Sequence, residues 1–163
     1  MKKLIIALMM LMLLLPALAA ADGPVLLVEM PEEAQMVENI QFEDGDFIQT
    51  YLISGAQVQL LRYASLGMSL EQMASSDFPG ARDVTPLALE RVGSFPAGGL
   101  TLVYEEKGQE TLDVTLVLVD AGAYTLVFSA VVPQGADDTV RSQVEAMVQS
   151  LEMLSPDSNA EVG

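Results

Sequence analysis

The side chains in this chain that could do chemistry are almost all carboxylates. Its 163 residues include twenty-three Asp and Glu, seven Lys and Arg, and no His or Cys. Without histidine or cysteine the chain cannot build a Ser-His-Asp or Cys-His nucleophile, a histidine zinc site or a histidine general base. Lys107 is the only lysine after Lys3, so a Ser-Lys pair would have to use it. Carboxylate chemistry is what remains.

One group of carboxylates, Glu43, Asp44 and Asp46, surrounds Gly45. Oxygen ligands of this type suit calcium, but an EF-hand loop needs a longer series that ends in a distant glutamate, and the sequence has none here. We therefore interpret the group as a solvated hairpin turn and keep a cation site as the alternative. A second group lies around Lys107 and Gly108 and is interpreted in the same way: Glu105, Glu106 and Glu110.

Two carboxylates could also hydrolyse a glycosidic bond if they met in a cleft about 5 to 10 Å apart. With twenty-three acids, chance proximity is expected, and sites that cleave sugars tend to be lined by aromatic rings. The chain has no Trp and only nine Phe and Tyr. We therefore assign no catalytic, cofactor-binding or metal-binding residue and predict that the protein is not an enzyme, with a secreted carboxylate-pair hydrolase as the alternative.

The segment Phe95 to Gly99 combines an aromatic residue with Pro96 and two glycines. It could form a contact loop or a lid. The favoured interpretation is that Phe95 packs on a sheet while the glycines turn the chain.

The amino terminus predicts export. Lys2 and Lys3 precede an apolar run from Leu4 to Leu15, followed by Pro16 and small residues, which is the order of a signal peptide. We predict a signal peptide over residues 1–21 with cleavage after Ala21. An uncleaved anchor is the alternative, but the run is shorter than the roughly 20 residues of a membrane span.

Cleavage would remove two basic residues and no acidic one, which leaves a net charge of −18. Such a charge repels nucleic acid and anionic lipid, so we expect neither as a partner, and no membrane insertion of the mature protein. Basic proteins or cations are better candidates, and another extracytoplasmic protein is the partner we consider. The favoured interpretation is that the charge keeps an exported protein soluble. The oligomeric state stays open.

The remaining chain is long enough for one domain with its own core, and without cysteine no disulfide can staple it. Strands are predicted at Val25 to Glu29, Met36 to Glu43, Asp46 to Ile53, Gln57 to Tyr63, Val84 to Val92, Leu100 to Glu105, Thr111 to Asp120 and Tyr124 to Val132. The dipeptides Asp44-Gly45 and Ser54-Gly55 predict tight hairpin turns.

Two helices are predicted. The first begins after Ser69, which with Gln72 forms a capping box, and ends before Pro79. The second runs from Asp137 or Asp138 to Leu154. Its apolar stripe is Val140, Val144, Met147, Val148 and Leu151, while Arg141, Glu145, Gln149 and Glu152 are expected to face water. Together these elements predict an α+β domain over residues 22–154, a mainly antiparallel sheet covered by two helices, followed by a disordered tail over residues 155–163.

This order of elements resembles the PsbP-like fold family. The resemblance rests on Met30-Pro31, on residues 92–97 leading into 100–104, on the strand 124–128 and on residues 148–152. The family includes many exported bacterial proteins of unassigned role, and its members mostly act by binding, as accessory subunits or adaptors. The resemblance therefore implies an α/β/α sandwich and a protein that acts by binding. Histidines that bind metal in some photosynthetic members have no counterpart here. We therefore predict an exported, non-enzymatic binding or accessory protein that acts through contacts with a protein or an envelope component.

Overall fold

The computed structural model describes residues 23–64, 67–105 and 108–155. These residues form two helices, α1 (Leu70–Asp77) and α2 (Asp138–Gln149), and the following strands. In chain order they are β1 (Val25–Leu27), β2 (Gln35–Gln41), β3 (Phe47–Ile53), β4 (Ala56–Ala64), β5 (Arg82–Pro86), β6 (Arg91–Val92), β7 (Phe95–Glu105), β8 (Thr111–Asp120), β9 (Tyr124–Pro133) and β10 (Glu152–Leu154).

The main sheet has the strand order β2-β3-β4-β9-β8-β7-β5, with β6 paired to β7. Every pairing in it is antiparallel. The short strands β1 and β10 form a separate antiparallel pair. The predicted α+β class with a mainly antiparallel sheet and two helices is confirmed.

The predicted hairpins form because their turn residues adopt positive φ. Ser54 and Gly55, at φ 48° and 88°, join β3 to β4 through a two-residue turn, the type that matches strand twist. Strands β2 and β3 are joined by residues 42–46. Within this connection the Phe42 amide donates to the Asp46 carbonyl at 2.9 Å, which closes a loop of three residues instead of the predicted two. There the Gly45 amide donates to the Phe42 carbonyl at 3.1 Å, and Gly45 takes φ 90° as such a loop requires.

Both faces of the sheet carry cores. On one face, α2 packs its stripe on inward residues of the central strands, including Leu126, Phe128 and Ala130 of β9. On the other face, Ala74 of α1 packs on a smaller cluster from β7 and β8, namely Leu100, Leu102, Val114 and Leu116. The central strand β9 is therefore buried on both sides, as its sequence predicts.

Side chains fix where each helix begins. The Ser69 hydroxyl accepts from the Gln72 amide at 3.2 Å and the Gln72 side chain accepts from the Ser69 amide at 2.8 Å, which confirms the capping box. At α2 the Asp137 carboxylate accepts from the Thr139 amide at 2.8 Å. This bond lowers the pKa of Asp137 below its ordinary value.

Two element predictions are wrong at their ends. The second helix stops at Gln149 instead of Leu154, because the Ser150 hydroxyl donates to the Met147 carbonyl and accepts from the Glu29 amide, which turns the chain into β10. The strand predicted from Val84 to Val92 is divided into β5, which ends at Pro86, and the separate two-residue strand β6.

The predicted signal peptide, and the tail beyond Ser155, lie outside the described residues. Neither helix of the described part of the chain is long and apolar enough to cross a membrane.

Candidate functional site

A groove of about 420 Å³ opens between α2 and the sheet. It exists because α2 packs on the central part of the sheet, whereas the sheet continues through β7 and β5, and neither described helix covers that part of the face. The strands supply its floor and α2 supplies one wall. Apolar atoms make most of its lining surface, although half of the residues that line it are polar or charged. The apolar contributors include Leu87, Val103, Val132, Val144 and Val148. We call this recess the α2 groove.

Val144 and Val148 divide the wall of the groove into a buried and an open part. Val144 is 5% exposed and belongs to the core, as predicted. Val148 is only partly buried and lines the groove, so its predicted full burial is wrong. Leu151 is buried as predicted.

An ion pair fixes the first half of α2 to the sheet at the rim of the groove. The Arg141 guanidinium lies 3.2 Å from the Asp113 carboxylate. It also donates to the carbonyls of Gln134 and Ala136, each at 2.9 Å. The prediction that Arg141 faces water is therefore wrong, since its side chain joins β8, α2 and the connection between β9 and α2.

Three carboxylates line the α2 groove: Asp83, Asp113 and Glu145. Asp113 is engaged, because it pairs with Arg141 and accepts from the Gln134 side chain at 3.2 Å. Two threonines that face each other across β7 and β8, Thr101 and Thr115, add hydroxyl groups to the floor. The groove thus offers an apolar surface, a few hydroxyls and an acidic rim.

The acidic loop, residues 43–46, is used to build the hairpin. The Asp44 carboxylate accepts from the Asp46 amide at 3.1 Å, and the Asp46 carboxylate accepts from the Ala64 amide at 2.9 Å. Glu43 is exposed. In residues 23–64, 67–105 and 108–155, no group of three or more acidic side chains is arranged to hold a metal ion. The second acidic group is spread out: Glu105 pairs with Arg82 at 3.3 Å, Glu110 is exposed, and Glu106 lies outside the described residues.

Arg62 holds the acidic loop through hydrogen bonds to the Gly45 carbonyl. The sequence analysis did not identify this residue. The side chain is 2% exposed and lies between the rings of Phe47 and Tyr124, with its central carbon 5.0 Å from each ring centre. Its guanidinium donates to the Gly45 carbonyl through Nε at 2.8 Å and again through Nη2, and to the Pro24 carbonyl at 3.0 Å. Alternation in β4 contained the signal, because Val58, Leu60 and Arg62 share a face.

The candidate contact loop from Phe95 to Gly99 is part of strand β7, so the loop hypothesis is wrong. The hairpin turn lies earlier, at Gly93 and Ser94, and Phe95 packs partly buried against the larger core. Gly99 has a packing role: a Cβ there would lie 2.8 Å from the Leu87 side chain. Gly99 thus lets Leu87 lie on the sheet at the edge of the α2 groove.

No protein-family model matches the chain, and no curated protein matches it. Among solved structures it is similar to LpqN of Mycobacterium tuberculosis, described as involved in cell envelope biogenesis, with a TM-score of 0.55 and 13% identity over 84% of this chain and 87% of that one. A structure from Bacteroides thetaiotaomicron VPI-5482 has a TM-score of 0.42 and 11% identity over 81% of this chain and 49% of that one. The likeness to LpqN supports the fold.

Proposed function

We propose that this chain is an exported, non-enzymatic accessory protein of the cell envelope, of the PsbP-like type, which binds the apolar part of an envelope component or partner in the α2 groove. The groove is the observation that carries the proposal. Binding sites are typically clefts of roughly 300 to 1,000 Å³ that are mainly apolar with a few polar groups, and the α2 groove has this size and character. The fold shared with LpqN, a protein involved in envelope biogenesis, supports the choice of compartment.

A neutral fluorescent probe provides the test. N-phenyl-1-naphthylamine brightens in apolar surroundings and has no charge for the acidic protein to repel, and the chain has no tryptophan to interfere. We expect saturable binding of one probe to the mature protein. Val148→Asp, which places a carboxylate on the groove wall, should weaken binding about tenfold.

Ser142→Asp is the matched control, because it adds the same charge to the exposed side of α2. It should leave probe affinity unchanged, and both variants should keep the circular dichroism spectrum of the parent. Absence of saturable binding, or an equal loss in both variants, would refute the groove as the site. Envelope components that displace the probe then become the candidates for the natural ligand.

One observation favours the alternative function, a hydrolase that uses two carboxylates: Asp83 and Glu145 line the same groove. Asp113 is a poor candidate for that chemistry because Arg141 engages it. The hydrolase predicts turnover of a glycoside or ester substrate that is abolished by Asp83→Asn or Glu145→Gln. Under the binding proposal, neither the parent nor these variants turn such substrates over.

A further inference from the structure

Strand β2 forms one edge of the main sheet, and its outer side pairs with no other described strand. Every residue of the strand is exposed. An edge strand presents unpaired backbone N–H and C=O groups that can pair with another extended chain, and proteins usually blunt such edges with prolines, charges or irregular backbone. If β2 lacks these protective features, it can pair with another extended chain.

The opposite edge, β5, is blunted. Asp83 has φ 53°, the register with β7 shifts between Arg82 and Thr85, and the strand ends at Pro86. On β2 the irregularity is confined to the start, between Met36 and Glu38, and the register with β3 is unbroken from Glu38 to Gln41. Both edges carry a register shift, and β2 also carries one charged residue, Glu38, whose carboxylate accepts from the Thr50 hydroxyl at 2.8 Å. The β2 edge differs in that it has no proline and keeps a continuous register after the shift.

Exposed apolar side chains concentrate at the β2 edge. Of the eight large hydrophobic side chains that are exposed among the described residues, five lie on β2, just after it, or opposite its first residue on β3: Met36, Val37, Ile40, Phe42 and Leu52. Ile40 faces Ile48 across the strand pair. The α1 helix packs at β7 and β8 and leaves this part of the sheet face uncovered. An added strand would therefore gain apolar contacts as well as backbone hydrogen bonds.

The charge around the β2 edge has one sign. From Gly23 to Leu61 the sequence contains seven acidic residues and no basic one. Glu32 and Glu33 precede β2, and the acidic loop follows it. The next cation along the chain, Arg62, is buried. A strand lying on β2 would have carboxylates at both of its ends.

We propose that the β2 edge binds an extended basic segment of a partner protein, which adds a strand to the sheet. Alternating apolar residues of the segment would contact Ile40 and Phe42, and Lys or Arg at its ends would lie near the flanking carboxylates. Backbone pairing supplies affinity in this mode, and the side chains supply specificity. A second copy of this chain fits poorly, because antiparallel pairing of two β2 strands would bring their acidic flanks together.

Fluorescence anisotropy with labelled peptides tests the proposal. The first peptide alternates valine and threonine over six residues and carries two lysines at each end, and the second has glutamates in place of the lysines. We expect the lysine peptide to bind the mature protein at least about tenfold more tightly than the glutamate peptide, with affinity that falls as salt is raised. Equal binding of the two peptides, or no binding of either, overturns the proposal.

Ile40→Lys is the diagnostic variant, since it removes an apolar contact and adds a repelling charge at the edge. Val84→Lys is its matched control, because Val84 is an exposed apolar residue, 53% exposed, on the opposite edge. Ile40→Lys should weaken the lysine peptide about tenfold and Val84→Lys by less than about twofold, with both variants folded by circular dichroism. Equal effects would overturn the assignment to β2. Analytical ultracentrifugation tests the remaining alternative. If the protein is a dimer and Ile40→Lys dissociates it, the β2 edge binds a second copy of this chain, and the proposal of a basic partner segment is overturned.

Discussion

Replacement of Arg62 by methionine should lower the free energy of unfolding substantially, because the buried guanidinium holds two backbone carbonyls. Methionine keeps much of the apolar volume between Phe47 and Tyr124 but has no donor. The carbonyls of Gly45 and Pro24, which belong to partly buried residues, would then lose their charged donor. A hydrogen bond to a charged group contributes about 1.5 to 3 kcal/mol. Relief of the cost of burying the guanidinium offsets part of this loss. We expect a net loss of about 3 kcal/mol in the free energy of unfolding.

Urea unfolding of the mature domain, followed by circular dichroism, measures this loss. With a slope of about 2 kcal/mol per molar urea, the midpoint for Arg62→Met should fall by about 1.5 M. Arg82→Met is the control, because Arg82 pairs with Glu105 at the surface, where both side chains are more than half exposed, and such pairs contribute about 0 to 1 kcal/mol. If the two variants unfolded at the same urea concentration, Arg62 would not hold the acidic loop and the N-terminal segment as described.

Three further predictions concern α2 and the acidic loop. In thermal melts, Asp137→Ala should destabilise the domain at neutral pH. Because the pKa of Asp137 is lowered in the folded state, the difference should shrink as pH falls below about 3.9, the ordinary value of an aspartate, and should be lost as pH falls through the lower folded pKa. Val144→Asp should unfold the domain, Val148→Asp should lower the melting temperature less, and Gln149→Asp should leave it nearly unchanged, because burial decreases in that order. Millimolar calcium should raise the melting temperature no more than a magnesium salt of equal ionic strength, and a calcium-specific rise would show that the acidic loop binds the ion.

Local sequence signals predicted those parts of the fold that depend on neighbours along the chain. Ser54-Gly55 predicted a tight turn because few other residue pairs adopt two positive φ angles in succession. Ser69 and Gln72 predicted the start of α1 because their side chains satisfy amides three residues away. Runs of apolar and β-branched residues predicted strands β8 and β9. In each case the cause lies within a few residues of the effect.

The parts that were missed depend on which strands lie side by side. The α2 groove exists because β8, β7 and β5 follow β9 in the sheet, and that order cannot be derived from periodicity in any one strand. Strand β10 was assigned to the helix because its residues continue the apolar pattern, whereas pairing with β1, more than a hundred residues away, determines its conformation. The sequence analysis made no prediction for Arg62, although alternation within β4 places it on the buried face.

The pairing of β1 with β10 sets how the domain responds to tension. Val25 pairs with Leu154 and Leu27 with Glu152, so the two ends of the described domain lie side by side and leave it in the same direction. A pull on both ends separates such an antiparallel pair one rung at a time, starting from Val25 and Leu154, rather than shearing all its hydrogen bonds together. Strands of the main sheet lie farther along the chain and bear no load until this short ladder has opened.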